Sequence, residues 1–165
     1  MTPVTHILKN TGLPARPSLR PTILLISGGI LIFMTFMRYS LAELGWVVFA
    51  PFLIFFHTHG TFKQHLALFA TLVVVFLVTV SKMVTSEIPW APVPMFAIPM
   101  AFSYFAVLAV AGVSHRRLGA RSGVYTFASM AVVMGWVQYS FTPGASWGIL
   151  AHTQIDNLPL VQVAA

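Results

Sequence analysis

The chain has 165 residues, of which 58% are apolar and only 7% charged, and nine Lys and Arg against three acids give a formal charge of +6. A soluble domain carries about 25% charged residues, so this chain cannot clothe itself in a wetted surface, and a lipid bilayer is the solvent that fits. The basic residues are few and sit in short gaps between apolar runs, which points to topology control and away from nucleic acid. There is no Cys, hence no disulfide, no thiolate ligand and no cysteine nucleophile.

Residues 1–20 read as a polar arm. Pro3, Pro14 and Pro17, with Pro21 just after, disfavour a long helix there. Lys9, Arg16 and Arg20 ahead of an apolar run look like the start of a signal peptide. No small-x-small cleavage site follows and further spans come later, so a retained first helix is the favoured reading. That first span runs from about Thr22 to Met37. Gly28 and Gly29 inside it would permit close helix contact, and Arg38 beyond it can snorkel toward an interface.

A tight turn over Ser40 to Glu43 leads to a short second span, about Leu44 to Phe56, predicted to be a hairpin partner of the first. Trp46 lies near one end and Pro51 in the middle, where a kink is expected. His57, His59 and His65 then gather around Lys63. The His-x-His spacing does not place both rings on one helix face, and no carboxylate or Cys stands near, so no metal is predicted and the segment reads as an interfacial loop.

The third span, Leu66 to Ser81, is the strongest in the chain. It contains no charge, no Pro and no Gly, with His65 before it and Lys82 after it. Flanking residues included, such a helix reaches across a hydrocarbon layer about 30 Å thick. A soluble buried helix would need a polar shell that this composition does not provide. Next come Glu87, Pro89, Trp90, Pro92, Pro94 and Pro99. Ile88 to Met95 is read as an irregular interfacial segment; the alternative is prolines lining a cavity. The fourth span is expected over Phe96 to Val113. The loop Ser114 to Arg121 holds Arg116, Arg117 and Arg121 with no acid, and the fifth span follows over Gly123 to Tyr139, its Met130, Met134 and Trp136 facing lipid or packing. The tail, Ser140 to Ala165, is interrupted by Pro143, Gly144, Gly148 and Pro159 and is too broken to cross as one helix.

The resulting expectation is an all-α, polytopic membrane bundle of about five helices with a cytoplasmic amino terminus. Its parts are a polar arm (1–20), the bundle (21–139) and an extracytoplasmic junction (140–165). Five crossings put Lys9, Arg16, Arg20, Lys63, Arg116, Arg117 and Arg121 inside with no acid, and Arg38, Lys82, Glu43, Glu87 and Asp156 outside. This asymmetry is strong for a chain this small and supports five crossings rather than four or six.

The tail carries the most specific signal. Residues 146–160, SWGILAHTQIDNLPL, resemble the region joining the early membrane spans to the next one in apolipoprotein N-acyltransferases, with Trp147, Thr153, Gln154, Asp156 and Pro159 on the pattern and Gln162 and Ala164 continuing it. The block around GWVVFAPFLIFF, within the second span, resembles that family's second hydrophobic segment. The chain departs from the pattern at Ser146, where the family has Pro, at Gly135 and Gln138, where it often carries an acid and a base, and in the Pro89 to Pro99 patch.

The resemblance implies a bacterial inner (cytoplasmic) membrane protein concerned with moving an acyl chain from a phospholipid to a lipoprotein. In that family the chemistry is done by a Glu, a Lys and a Cys of a nitrilase-like domain, which the matching region does not include. No catalytic residue, metal or cofactor is therefore assigned here. The expected partners are membrane phospholipids, and a lipoprotein substrate through the catalytic domain. The residues expected at the lipid interface are Trp90, Trp147, Gln154 and Asp156, with the tail packed back near Trp90; a stub that does not pack is the alternative. The rival function is a stand-alone accessory or small transport-related membrane protein; the transport reading would show polar residues facing each other at mid-membrane, whereas the ionisable groups here lie at span ends.

Overall fold

The computed structural model describes residues 21–37, 41–85 and 90–141. Those residues form five α-helices and no strand: α1 (Pro21–Thr35), α2 (Ala50–Thr58), α3 (Phe62–Val80), α4 (Val93–Leu118) and α5 (Ala120–Phe141). The all-α expectation holds, and several boundaries move.

The second apolar segment is not one kinked helix. Its first part is a 3-10 helix, Ala42–Trp46, and α2 begins only at Ala50, with Pro51 in its first turn. A proline there forfeits no hydrogen bond, because the first amides of a helix have no partner in any case. The predicted kink is therefore replaced by a helix start. The expected histidine loop also shrinks to a short connection. Thr61 accepts from the Gln64 amide at 3.4 Å, while Gln64 Oε1 accepts from the Thr61 amide at 3.0 Å. This reciprocal cap starts α3 at Phe62, so Lys63 and His65 are helical, as is His57 at the end of α2.

α4 is longer than expected at both ends. Pro92 precedes it and Pro94 stands in its first turn, so part of the supposedly irregular segment is helix. Pro99 lies inside and is exposed. At the far end Ser114 to Leu118 complete α4, and only Gly119, at φ 97°, interrupts the backbone before α5 begins. The predicted arginine loop is thus a tight helical hairpin turned on one glycine in a conformation other residues resist. Thr126 Oγ1 donates to Ser114 Oγ at 2.8 Å across it.

The bundle closes around aromatic rings. Tyr104 of α4 stacks on Phe49 (4.6 Å between centroids) and on Phe76 of α3 (5.4 Å), and Phe36 meets it edge-on at 5.8 Å. The glycine pair of α1 does what its sequence suggests. A methyl on Gly28 would stand 2.6 Å from the Phe52 ring of α2, and one on Gly29 2.9 Å from Val75 of α3. Close approach on adjacent residues lets α1 pack against two helices at once. α5, by contrast, buries only Gly123 and leaves Val124, Tyr125, Val132, Trp136 and Tyr139 exposed.

Two helical stretches, Phe62–Met83 and Val93–Leu118, are long and apolar enough to cross a membrane. The 26 residues of α4 reach about 39 Å at 1.5 Å per residue, beyond a hydrocarbon core of about 30 Å.

Candidate lipid-facing site

At one end of the bundle α1 runs out of hydrogen-bond partners for its last carbonyls, as any helix does. Met37, at φ 67°, turns the chain away. Lys82, in the 3-10 turn after α3, fills the gap: its ammonium donates to the Phe36 carbonyl at 3.0 Å and to the Phe33 carbonyl, and lies 4.1 Å from the centre of the Phe33 ring. A cation at a helix carboxyl terminus is favoured by the helix dipole as well. The sequence reading placed Lys82 at a span end but did not foresee that it ties α3 to α1. Trp46 and Trp90 lie at the same end, 68% and 64% exposed. Indoles with an apolar body and a polar edge suit a headgroup layer. Of the four predicted interface residues, Trp90 is thus placed at an exposed helix entry, while Trp147, Gln154 and Asp156, and the expected contact of the tail with Trp90, lie outside the described residues.

Below Lys82, α1 and α3 part to leave a groove of about 450 Å³. Leu25, Ile26, Ile30 and Phe33 of α1 and Val74, Val75 and Val78 of α3 make its walls, and Thr22 and Thr71 are its polar members. Thr71 spends its hydroxyl on the Ala67 carbonyl at 2.8 Å, so it presents a methyl group rather than a donor.

The opposite end gathers the histidines. His57 of α2 stacks on His115 of α4 at 3.6 Å, His65 stacks on Phe56 at 4.4 Å, and His59 stacks on Phe55 at 4.7 Å. The Arg116 guanidinium lies 5.4 Å from the Phe56 ring. His57 stands just past the apolar run of its segment. Burial above all, then the neighbouring His115 and Arg116, holds its imidazole below the ordinary value of 6.5. The buried Nε2 atoms of His57 and His65 and Nδ1 of His115 have no hydrogen-bond partner among the described residues, and no group of three metal-ligating side chains occurs among them. The pairing of His57 with His115 was missed in the sequence. A signal existed, since charge asymmetry puts the ends of the second and fourth apolar runs on one side.

Between α4 and α5 lies a small cavity of about 20 Å³, lined by Ser103, Tyr104 and Gln138 together with the apolar Val107, Ala131 and Met134. It has room for about one water molecule, which is far too little for a passing solute.

The family model of the apolipoprotein N-acyltransferase N-terminal domain matches residues 28–165. A curated apolipoprotein N-acyltransferase from Geobacter metallireducens is 24% identical over 153 residues, which cover 88% of this chain and 29% of that protein. The chain thus spans less than a third of the length of the relative it matches. No solved structure matches it. With that match running from within α1 to the last residue, the chain belongs to the family of apolipoprotein N-acyltransferase N-terminal domains.

Proposed function

We propose that these residues form the membrane-embedded part of an acyltransferase that moves an acyl chain from phospholipid to lipoprotein in a bacterial inner membrane, serving as scaffold and lipid-contact surface while the bond chemistry is done elsewhere. The observation that carries the reading is the family match over residues 28–165 in a chain without Cys. The family's acyl-enzyme step needs a nucleophile that can hold the chain between donor and acceptor, and no cysteine here can do so. The relative from Geobacter metallireducens bears the name of the whole enzyme, and this chain corresponds to 29% of it. The transport alternative draws little support from a cavity with room for about one water.

Five crossings with the amino terminus in the cytoplasm remain part of this proposal. Reporter fusions at Gly60, Thr85, Gly119 and Gly144 should alternate in, out, in, out; the first three positions stand in connections between helices. Two successive fusions on one side would end the five-span arrangement. The purified chain, given phospholipid donor and diacylated lipopeptide, should add no third acyl chain above a lipid-only control. Turnover above that control would end the scaffold reading.

A further inference from the structure

We infer that the groove between α1 and α3 is a binding site for one membrane phospholipid, with an acyl chain along the groove and the phosphate on Lys82. The inference rests on the membrane reading above.

Length is the first argument. Thr22 and Phe33 mark the ends of the groove on α1, a separation of about 16 Å at 1.5 Å per residue. One leaflet of a hydrocarbon core about 30 Å thick is about 15 Å deep. The groove therefore accepts one acyl chain of one leaflet. Its volume of about 450 Å³ lies within the roughly 300–1,000 Å³ range of small-molecule sites.

Chemistry is the second argument. The walls are Leu, Ile, Val and Phe, and no acid lines them. At one mouth stands Lys82. An ammonium has three donors, and the Phe33 and Phe36 carbonyls take two of them. Among the described residues no acceptor takes the third, which can meet a phosphate oxygen while the two carbonyls hold the ammonium in place beforehand. Charge and apolar length are thus arranged in the order in which a phospholipid carries them.

The groove is also built into the fold. Gly29 lies in it, and a side chain there would collide with Val75, another lining residue. The two helices come close at the glycine, and the groove is lined by residues before and after it on both. A second copy of this chain is the other occupant such a groove could take, and the test separates the two.

The full chain in vesicles of phosphatidylglycerol and phosphatidylethanolamine would be labelled with a phospholipid bearing a photoreactive acyl chain, and the labelled peptides mapped. The exposed α5 face, with Val132 and Trp136, serves as the internal measure of ordinary bilayer contact. Labelling of Ile26, Ile30, Val74 and Val78 should exceed that of the α5 face at least severalfold. Val74→Trp, which fills the groove from an exposed position, should bring it down to the α5 level. Lys82→Gln should lower it in part, and Lys82→Arg should restore it.

Equal labelling of groove and α5 face, or an unchanged groove signal in Val74→Trp, overturns the site. So does an Ile30→Cys variant that oxidises to a disulfide-linked dimer, since the groove then belongs to a second copy. Failure to label any segment has a different meaning: it refutes the membrane reading itself.

Discussion

Replacing Gly112 by alanine adds one methyl group where, among the described glycines, there is least room for it. The new carbon would stand 2.2 Å from Phe56 Cδ1 and 2.5 Å from Cε1, where 3.4 Å marks ordinary contact. The ring must retreat by more than about an ångström to make room. It has little freedom to do so, being 3% exposed, stacked on His65 and flanked by Arg116. Forcing an extra methyl into a packed site costs about 1–3 kcal/mol. Alanine gains roughly 1 kcal/mol over glycine in a helix. The net expectation is a loss of up to about 2 kcal/mol. Thermal unfolding in mild detergent, followed by circular dichroism, reads it as a lowered midpoint. Gly60→Ala is the control, because its methyl would meet nothing within 4 Å. Phe56→Leu combined with Gly112→Ala should recover part of the loss, since the leucine is smaller. A Gly112→Ala variant more stable than the parent by the full helix gain of roughly 1 kcal/mol would refute the packing argument.

Stability should also fall with acid. His57 in the folded chain binds its proton less readily than the free side chain, through burial, His115 and Arg116. The unfolded chain therefore holds more protons over that window, and stability declines as pH drops below about 6.5 until folded His57 is itself protonated. Unfolding midpoints between about pH 5 and 8 should slope less in His57→Asn; an identical slope would show that other groups set the dependence. Gly28→Ala, whose methyl would meet the end of the fully buried Phe52 ring at 2.6 Å, should weaken the hold of α1 on α2 and expose the α1 carboxyl end to proteolysis; unchanged proteolysis counts against that contact. For the tail, Trp147 fluorescence should be quenched by shallow spin-labelled lipids, and Trp147→Phe should remove that signal with the topology intact. Quenching mainly by aqueous iodide would remove Trp147, Gln154 and Asp156 from the lipid surface.

The span pattern of the sequence pointed to an all-helical chain, because a helix satisfies its own backbone groups where water is absent, and the described residues form five α-helices and no strand. The segments fall where uninterrupted apolar runs fall; the end of α3 was legible to within a residue from its freedom from charge, Pro and Gly, while its start lies four residues before the expected Leu66. Gly28 and Gly29 announced close packing before any partner was visible. What the sequence could not decide is what depends on two segments at once. Whether Pro51 and Pro94 bend a helix or begin one is settled by where the first turn lies, and that turn is set by the neighbours each helix must reach. The carboxyl end of α4 was misplaced because hydropathy counts charges as loop, whereas the helix keeps its hydrogen bonds through His115, Arg116 and Arg117; its start was misplaced because prolines were read as breaks, whereas Pro92 and Pro94 stand at the helix entry. The stacking of His57 on His115, the tie from Lys82 to the end of α1 and the groove beside that tie are contacts between residues far apart in the chain. Nothing in a one-dimensional pattern of apolar runs records which run lies beside which; the helix-to-helix packing chose those neighbours.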